Sequence, residues 1–235
     1  LLFTTQDTER TDMKITCISD THTKHDELDL PGGDVLIHAG DFMSSGKDSL
    51  ELLEFLNWLY KQPYKHKILI AGNHDRLFEE TPAYAKQLVD DVNHDKSITY
   101  LQDSGCTIDG IKFWGTPWTP EFYGWAFQLF HDDGKAIFDL IPNDTDVLIS
   151  HGPAYGMLDE IRTPLTTGAT PGHIGCEHLL KAIDRVNPKL HVCGHIHSSQ
   201  GVLDGYGEVT THINASCLGE DYMYSNAKRY FEWTL

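Results

Sequence analysis

A chain of 235 residues, 40% of them hydrophobic, is large enough for one sizeable core, and we interpret residues 13–235 as a single domain. The charge is strongly acidic, with 18 Lys and Arg against 35 Asp and Glu, and this disfavours a basic surface for long nucleic acids. No run approaches the ~20 apolar residues of a membrane span, so we expect no membrane insertion.

The cysteines and the first residues bear on the cellular compartment. The 5 cysteines are odd in number, widely spaced and without a CxxC pair, which favours reduced thiols and a cytoplasmic location. Residues 1–12 contain neither a basic segment nor a long apolar segment, so no signal peptide is predicted. We interpret residues 1–12 as an N-terminal extension, a processed end or a cloning remnant, because Met13 opens the first clear strand.

Short apolar runs rich in Ile and Val predict buried strands along the chain. These predicted strands are Lys14–Ser19, Val35–His38, Lys67–Ala71, Val147–Ser150 and Leu190–Cys193. Apolar residues at helical spacing, or a Thr-Pro start, predict helices at Ser49–Tyr60, from Thr81-Pro82 onward and at Cys176–Val186.

The remaining elements complete the predicted fold class. Asp109-Gly110 breaks the stretch Cys106–Trp114 into a β-hairpin, and alternating aromatic and polar residues in Arg229–Leu235 predict a last strand. Strands that alternate with helices early, followed by paired strands late, predict an α/β (α+β) fold. We therefore expect a mixed pair of sheets with helices outside.

Five short motifs carry side chains that bind divalent metals, and each lies at the end of an apolar run. They read Asp20-Thr21-His22, Gly40-Asp41, Gly72-Asn73-His74-Asp75, Ser150-His151-Gly152-Pro153 and Gly194-His195-Ile196-His197. Carboxylate, amide and imidazole groups suit borderline divalent metals. Side chains at i and i+2 of an extended segment point to one side, so Asp20 and His22 can converge on one cation. The same spacing brings His195 and His197 to a common point.

Each motif also has a simpler interpretation when it stands alone. A strand-end turn, an ordinary Gly-Asp turn or a lone core histidine would explain most of them. The third motif is more specific, because Asn73 offers a neutral oxygen while His74 faces the other way, free to act as an acid or to bind phosphate. Asp75 could hold that imidazole in one tautomer and raise its pKa. All five motifs in this order predict a metal site.

The complete pattern resembles that of the calcineurin-like metallophosphoesterases: DxH, GD, GNH followed by D or E, a lone H, and GHxH. The resemblance spans residues 20 to 197, most of the chain. A closer likeness, to the metallophosphoesterase-domain branch of class III phosphodiesterases, rests on Phe113–Pro120, Trp125–Phe127, Leu148–Pro153 and Leu158-Asp159. Some members of that branch have Gly in place of one GHxH histidine. Both His195 and His197 are present here, which favours a competent site.

The resemblance implies a two-sheet β-sandwich flanked by helices, with two divalent metal ions. One ion would be held by Asp20, His22, Asp41 and His197, and the other by Asp41, Asn73, His151 and His195. Asp41 would bridge the two ions, which would clamp phosphate oxygens and lower the pKa of a shared water for in-line attack on phosphorus. His74 would stabilise or protonate the leaving oxygen, with Asp75 behind it. We expect Mn²⁺, with Fe, Zn²⁺, Ni²⁺ or Co²⁺ as alternatives.

The loop sequences do not determine the identity of the substrate. The aromatic cluster in Trp114–Phe130 is either a packed mini-core under a long connection or a surface on which a nucleobase stacks. We expect Asn73, His74 and Trp118 to contact the substrate. The segment Thr163–Gly175 reads as a flexible loop that could shape the entrance.

The predicted function is hydrolysis of a small phosphodiester, such as a cyclic nucleotide, or of a monoester. No basic cluster adjoins the motifs, which disfavours polyphosphates and long nucleic acids. A non-catalytic scaffold with the same fold and a nuclease are the alternatives. The oligomeric state is left open.

Overall fold

The computed structural model describes residues 12–130, 133–161, 172–206, 210–224 and 229–235. The interpretation of residues 1–11 as an extension therefore lies outside the described residues. So does the greater part of the expected entrance loop, residues 163–171.

The described chain alternates strands and helices in its first half and ends in paired strands. The strands are β1 Lys14–Ile18, β2 Gly33–His38, β3 Tyr64–Leu69, β4 Ile98–Tyr100, β5 Ser104–Ile108, β6 Ile111–Thr116, β7 Thr119–Pro120, β8 Gln128–Leu129, β9 Val147–Ser150, β10 Glu160–Ile161, β11 Gly172–His173, β12 Leu190–Cys193, β13 Gly201–Tyr206, β14 Thr210–Asn214 and β15 Phe231–Thr234. The α-helices are α1 Ser49–Lys61, α2 Leu77–Glu80, α3 Pro82–Val92, α4 Asp133–Phe138 and α5 Glu177–Val186.

Two large sheets carry the fold. The first has 5 strands in the order β15-β1-β2-β3-β4, and the second has 6 strands in the order β13-β14-β12-β9-β6-β5. The inner strands of each sheet are parallel, whereas β15, β13 and β5 pair antiparallel at the edges. Because parallel strands end at one edge of a sheet, the loops after β1, β2 and β3 lie side by side, as do those after β9 and β12.

The two sheets pack face to face between layers of helices. Ile15 and Ile37 of the first sheet share a buried core with Phe113 and Val192 of the second. The outer face of the first sheet is covered by α1 and α3, and that of the second by α4 and α5. This helix–sheet–sheet–helix order confirms the predicted two-sheet sandwich flanked by helices.

The local sequence explains where the main helices begin and end. Asp48 precedes α1 and accepts a hydrogen bond from Leu50 N at 2.8 Å, which satisfies one free backbone N–H of the first turn. The buried face of α1 includes Phe55, and full burial of such a side chain contributes about 1.5–3 kcal/mol. At the end of α5, Asn187 takes a left-handed conformation with φ 52° before the proline that stops the helix.

Most predicted elements are confirmed, with shifted ends. β9 and β12 match their predicted bounds, and Asp109 and Gly110, with φ 47° and 83°, form the turn of the predicted hairpin. β3 starts earlier than predicted because Tyr64 already pairs with Gly33 of β2. The short α2 and α4 were not predicted.

Two histidines expected in the core are buried there with polar partners. His38 Nε2 lies 3.0 Å from Thr21 Oγ1, and His191 Nε2 lies 2.8 Å from Ser150 Oγ. Each contact joins a core histidine to the side chain of a motif residue. Within the described part of the chain, no helix has the length and apolar character needed to cross a bilayer.

Candidate metal centre

All seven predicted metal ligands lie at the ends of parallel strands where the two sheets meet. Asp20, Asp41 and Asn73 follow strands of the first sheet, whereas His151 and His195 follow strands of the second. A parallel bridge between Ser19 and Ser216 joins the two sheets beside them. The arrangement of strands therefore brings together residues that are up to 177 positions apart, since the first ligand is residue 20 and the last is residue 197.

Backbone conformation aims several of these side chains inward. Asp20, His22, Asp41 and His195 have φ of 54°, 39°, 56° and 67°, in the left-handed region that residues other than glycine rarely adopt. Such outliers persist where surrounding structure holds them, and they cluster at functional sites. Position 72 requires a glycine, because a Cβ there would collide with Asp41 Oδ1.

The first group of possible ligands consists of Asp20, His22 and His197. One ligand atom from each lies within 4.8 Å of the others. His197 Nε2 is 3.3 Å from Asp20 Oδ1, which in turn is fixed by the backbone N–H of His195 at 3.1 Å. Three donors around one point can hold one divalent ion.

A second group consists of Asp41, His151 and His195, again within 4.8 Å of one another. His151 Nε2 lies 3.3 Å from Asp41 Oδ2 and 3.0 Å from Asn73 Oδ1. Asp41 Oδ2 is also 3.9 Å from His22 Nε2 of the first group. Asp41 therefore lies between the two groups, in the position expected of a bridging carboxylate.

Hydrogen bonds fix how the imidazoles face the centre. The Nδ1 atoms of His22, His151 and His197 lie 3.2, 2.9 and 3.0 Å from the backbone carbonyls of Met43, Ala39 and Gly219. A carbonyl only accepts, so each Nδ1 donates and each Nε2 faces the centre with a lone pair when the ring is neutral. This is the usual arrangement of metal-bound histidines.

One buried atom supports the fit of a cation to this group. His22 Nε2 is buried and has no hydrogen-bond partner among the described residues. An unsatisfied buried polar atom is costly, by about 1–3 kcal/mol. A metal ion between His22 and Asp41 would satisfy it, so the residues present fit the metal that the motifs imply.

The electrostatics of the centre favour positive charge. Burial alone would raise the pKa of Asp41, but His151, His74 and His22 together outweigh it and hold that pKa well below its usual range. Burial lowers the pKa of His22 to about 4 and that of His195 to about 3, so both are neutral near pH 7. The centre therefore presents ionised carboxylates beside neutral imidazoles, as metal binding requires.

Two imidazoles behave differently because carboxylates touch them. Burial would lower the pKa of His151 and His197, but Asp41 and Asp20 outweigh it and raise each pKa to about 9. Without metal, these rings carry protons that compensate the carboxylate charge. A bound cation would take over that compensation and displace the protons.

The prediction that Asp75 holds the imidazole of His74 is wrong, because other groups contact its carboxylate. Its buried carboxylate accepts hydrogen bonds from the backbone N–H groups of Asp41 and Gly72, both at 2.7 Å, and of Met43 at 3.0 Å. The His74 Nδ1 instead lies 2.5 Å from the carbonyl of Ser44. Asp75 therefore ties the second motif loop to the third, and a backbone carbonyl orients His74.

The expected substrate contact of Trp118 is also wrong. Its indole N–H donates to Asp103 at 2.8 Å, and its ring meets Phe127 edge to face at 5.6 Å. Trp118 is packed between core clusters rather than facing the cleft. His74 and Asn73, the other two expected contacts, do line the cleft over the metal groups.

The cleft includes side chains that the sequence did not reveal. Beyond the predicted ligands and His74, its wall is formed by Phe122, Ile161, Ile174, Ile196, Glu220 and Tyr222. The sequence gave a partial signal for three of them, because Phe122 belongs to the predicted aromatic cluster, Ile174 to the predicted entrance loop and Ile196 to the fifth motif. Nothing in the sequence near Tyr222 indicated a role, yet its ring lies 4.8 Å from that of His22.

Comparison with known proteins now identifies the family. The family profile described as calcineurin-like phosphoesterase matches residues 13–199. The chain therefore belongs to the calcineurin-like phosphoesterases, a family of metal-dependent enzymes that cleave phosphoesters.

Individual relatives agree with the branch indicated by the motifs. Metallophosphoesterase domain-containing protein 1 of Homo sapiens is 39% identical over 235 residues, covering 91% of this chain and 68% of the human protein. The Mus musculus protein of that name gives the same values. In fold, the chain is similar to the crystal structure of TT1561 from Thermus thermophilus, with a TM-score of 0.58, 13% identity and coverage of 87% and 89%.

Proposed function

We propose that this chain hydrolyses small phosphodiesters with two divalent metal ions, and that cyclic nucleotides are the leading substrate class. The observation that carries the proposal is the position of Asp41 between two groups of ligand atoms. Asp41 Oδ2 lies 3.3 Å from His151 Nε2 in one group and 3.9 Å from His22 Nε2 in the other. A shared carboxylate between two such groups is typical of two-metal hydrolytic sites.

Two of the three groups of possible ligand atoms, together with Asn73, give the residues that would hold the ions, and the third group, His22, Asp41 and His74, overlaps them. Asp20, His22, Asp41 and His197 would hold one ion, and Asp41, Asn73, His151 and His195 the other. When bound, the ions would supply Lewis acidity toward the phosphoryl oxygens and lower the pKa of water. The donor set of imidazoles, carboxylates and one amide suits Mn²⁺, our first choice, as well as Fe, Zn²⁺, Ni²⁺ or Co²⁺.

His74 is the side chain that we assign to the leaving oxygen. Its Nδ1 donates to the Ser44 carbonyl, so Nε2 is the nitrogen left for the substrate, and it carries a proton to donate only when the ring is doubly protonated. The ring is partly exposed at the cleft, 4.7 Å edge to face from the ligand His22. A group in this place can protonate the departing alkoxide, which typically contributes ~10²–10⁴-fold.

The wall of the cleft favours a substrate of low charge. Among the described residues that line it there is no Lys or Arg, and Glu220 adds a negative charge. A diester carries one negative charge on its phosphate, whereas monoesters and polyphosphates carry more and would meet more repulsion. Phe122 and the isoleucines of the wall suit the apolar face of a nucleobase or an aryl group.

A substrate panel tests the proposal. The metal-free protein is reconstituted with Mn²⁺ and, separately, with Zn²⁺, Ni²⁺, Co²⁺ or Fe²⁺. It is then assayed on an aryl phosphodiester, the matching monoester, cyclic mononucleotides and single-stranded DNA. We expect the diesters to have the largest kcat/KM, with loss of turnover after chelation.

Two outcomes would overturn the proposal. Absence of hydrolysis with every metal would favour the non-catalytic scaffold. A preference for DNA over cyclic mononucleotides would favour the nuclease, which the net charge of −17 argues against.

A further inference from the structure

We propose that Trp125 is a positioning residue that fixes the plane of the His74 imidazole. This inference rests on the proposed function, because it assigns Trp125 a role through His74. Trp125 lies in the aromatic cluster between β7 and β8, outside every metal-ligand motif. Through Trp125, part of that cluster would therefore help to orient a reacting group.

The two rings are stacked. Their centroids are 4.0 Å apart and their planes differ by 24°, which is contact along one whole face of the imidazole. The hydrogen bond from His74 Nδ1 to the Ser44 carbonyl fixes one atom of the ring but allows rotation about that contact. The indole removes this freedom, so together the two contacts define the direction of Nε2.

Trp125 is itself held in place. The Arg76 guanidinium lies 5.8 Å from the centroid of its ring and donates to the carbonyl of Gly124 at 3.4 Å. Arg76 is in turn paired with Glu80 at 2.9 Å. Arg76 therefore contacts both the indole and the backbone of the residue before it.

The backbone of the aromatic loop docks on the same motif. Ala126 N donates to the carbonyl of Asn73 at 3.3 Å, and Phe127 N donates to Glu79 Oε1 at 2.8 Å. Trp125 thus comes from a segment bonded to the residue directly before His74. Loop and imidazole would move together, which keeps the stack intact.

A role as a nucleobase platform is the competing interpretation of Trp125. Such a platform needs a free aromatic face. The imidazole of His74 already covers one face of the indole, and the guanidinium of Arg76 also lies over the ring. These contacts favour positioning over base stacking.

The kinetic test separates the two roles. In Trp125→Leu we expect kcat to fall ~10–100-fold, the range for a misplaced reacting group, with KM and metal content unchanged. Trp125→Phe, which keeps an aromatic face, should recover most of the rate. Trp233→Phe, on the edge strand β15, is the matched control and should keep the wild-type kcat. A raised KM at constant kcat would mean base stacking and would overturn the inference.

A double-mutant cycle asks whether Trp125 acts through His74. If it does, Trp125→Leu should cost nothing further in a His74→Ala background, because the two changes remove one function. Equal losses in both backgrounds would show that the indole only supports the fold. That result would also overturn the inference.

An NMR measurement tests the positioning without turnover. A stacked indole shields the carbon-bound protons of His74, so their resonances, assigned by their loss in His74→Ala, should move downfield in Trp125→Leu. If the shift occurs but no substrate is hydrolysed, the proposed function fails while the stack stands. If the resonances do not move, the inference fails whatever the activity.

Discussion

Asp41 Oδ2 lies 3.3 Å from His151 Nε2, and the two residues come from different sheets of the sandwich. Asp41 follows β2 in the first sheet and His151 follows β9 in the second. The centre thus exists only when the two sheets are packed together. Metal binding and folding should therefore be linked, since a ligand that binds only the folded state stabilises it.

The first prediction concerns metal content. Asp41→Asn should abolish stable binding of both ions and lower kcat/KM by at least ~10²-fold, because loss of even an outer-shell partner costs 10–100-fold. Asp90→Asn is the matched control, since Asp90 is an exposed residue of α3 that pairs with Lys86. Elemental analysis of the purified variants measures the effect. Wild-type metal content in Asp41→Asn would exclude a bridging role.

The second prediction separates His74 from the ligands. His74→Ala should keep metal content but lose ~10²–10⁴-fold in kcat, the range for a general acid. His94→Ala is the control, because His94 is exposed and contacts Tyr60 away from the cleft. Loss of metal from His74→Ala would instead make His74 a ligand, as its place beside His22 and Asp41 would allow.

The third prediction concerns Asp75 as a support for the loops. Asp75→Asn should lower the free energy of unfolding by about 1–3 kcal/mol, because an amide N–H₂ would face backbone N–H donors and leave one unsatisfied. The exposed Asp139→Asn, which changes a residue paired with Lys135, is the control. Urea unfolding of the metal-free proteins measures the difference. Unchanged stability with a displaced pH–rate profile would restore the original role of Asp75 beside His74.

The fourth prediction concerns the protons that are released when metal binds. The pKa values of His151 and His197 are raised to about 9, so near neutral pH both rings are protonated until a cation displaces the protons. Metal affinity should therefore rise with pH by up to ~tenfold per displaced proton per pH unit. The rise should level off near pH 9. His22 and His195, with pKa lowered to about 4 and about 3, should release none.

A pH-stat titration of the metal-free protein with Zn²⁺ measures this release directly. The control is the same addition with the cation already chelated. The account fails here if metal binds without releasing protons, or if affinity falls as the pH rises from neutral.

The predicted metal ligands could be placed at strand ends from the sequence, because apolar runs show where strands end. Apolar runs that stop at Ser150 and Cys193 mark where β9 and β12 end, and the next polar residues, His151 and His195, are two of the predicted ligands. Parallel pairing brings these ends to one edge of each sheet. Which side chains would hold each ion was implied by the resemblance to the calcineurin-like metallophosphoesterases and not by the strand pattern.

The partners of the site residues could not be predicted in the same way. Asp75 was expected beside His74 because the two are adjacent, but three backbone N–H groups from two loops converge on its carboxylate. Which donors a buried carboxylate meets is decided by tertiary packing. The sequence carries no sign of it.

The aromatic loop shows a related limit. Its composition predicted either a packed mini-core or a surface for a nucleobase, and Trp118 was chosen as the substrate contact although an irregular loop has no periodicity to orient side chains. Trp118 was expected at the substrate and is packed against Asp103, whereas Trp125 stacks on His74. Tyr222 reaches the cleft from a segment after β14 that had no motif at all.

The most direct test of the central claim is the anomalous scattering of a crystal of the Mn²⁺-loaded protein. We predict two peaks ~3.5–4 Å apart, the spacing of two-metal sites, with Asp41 between them. One would lie against Asp20 and His197, and the other against Asn73 and His195. A single peak, or two peaks that do not share Asp41, would contradict a binuclear centre.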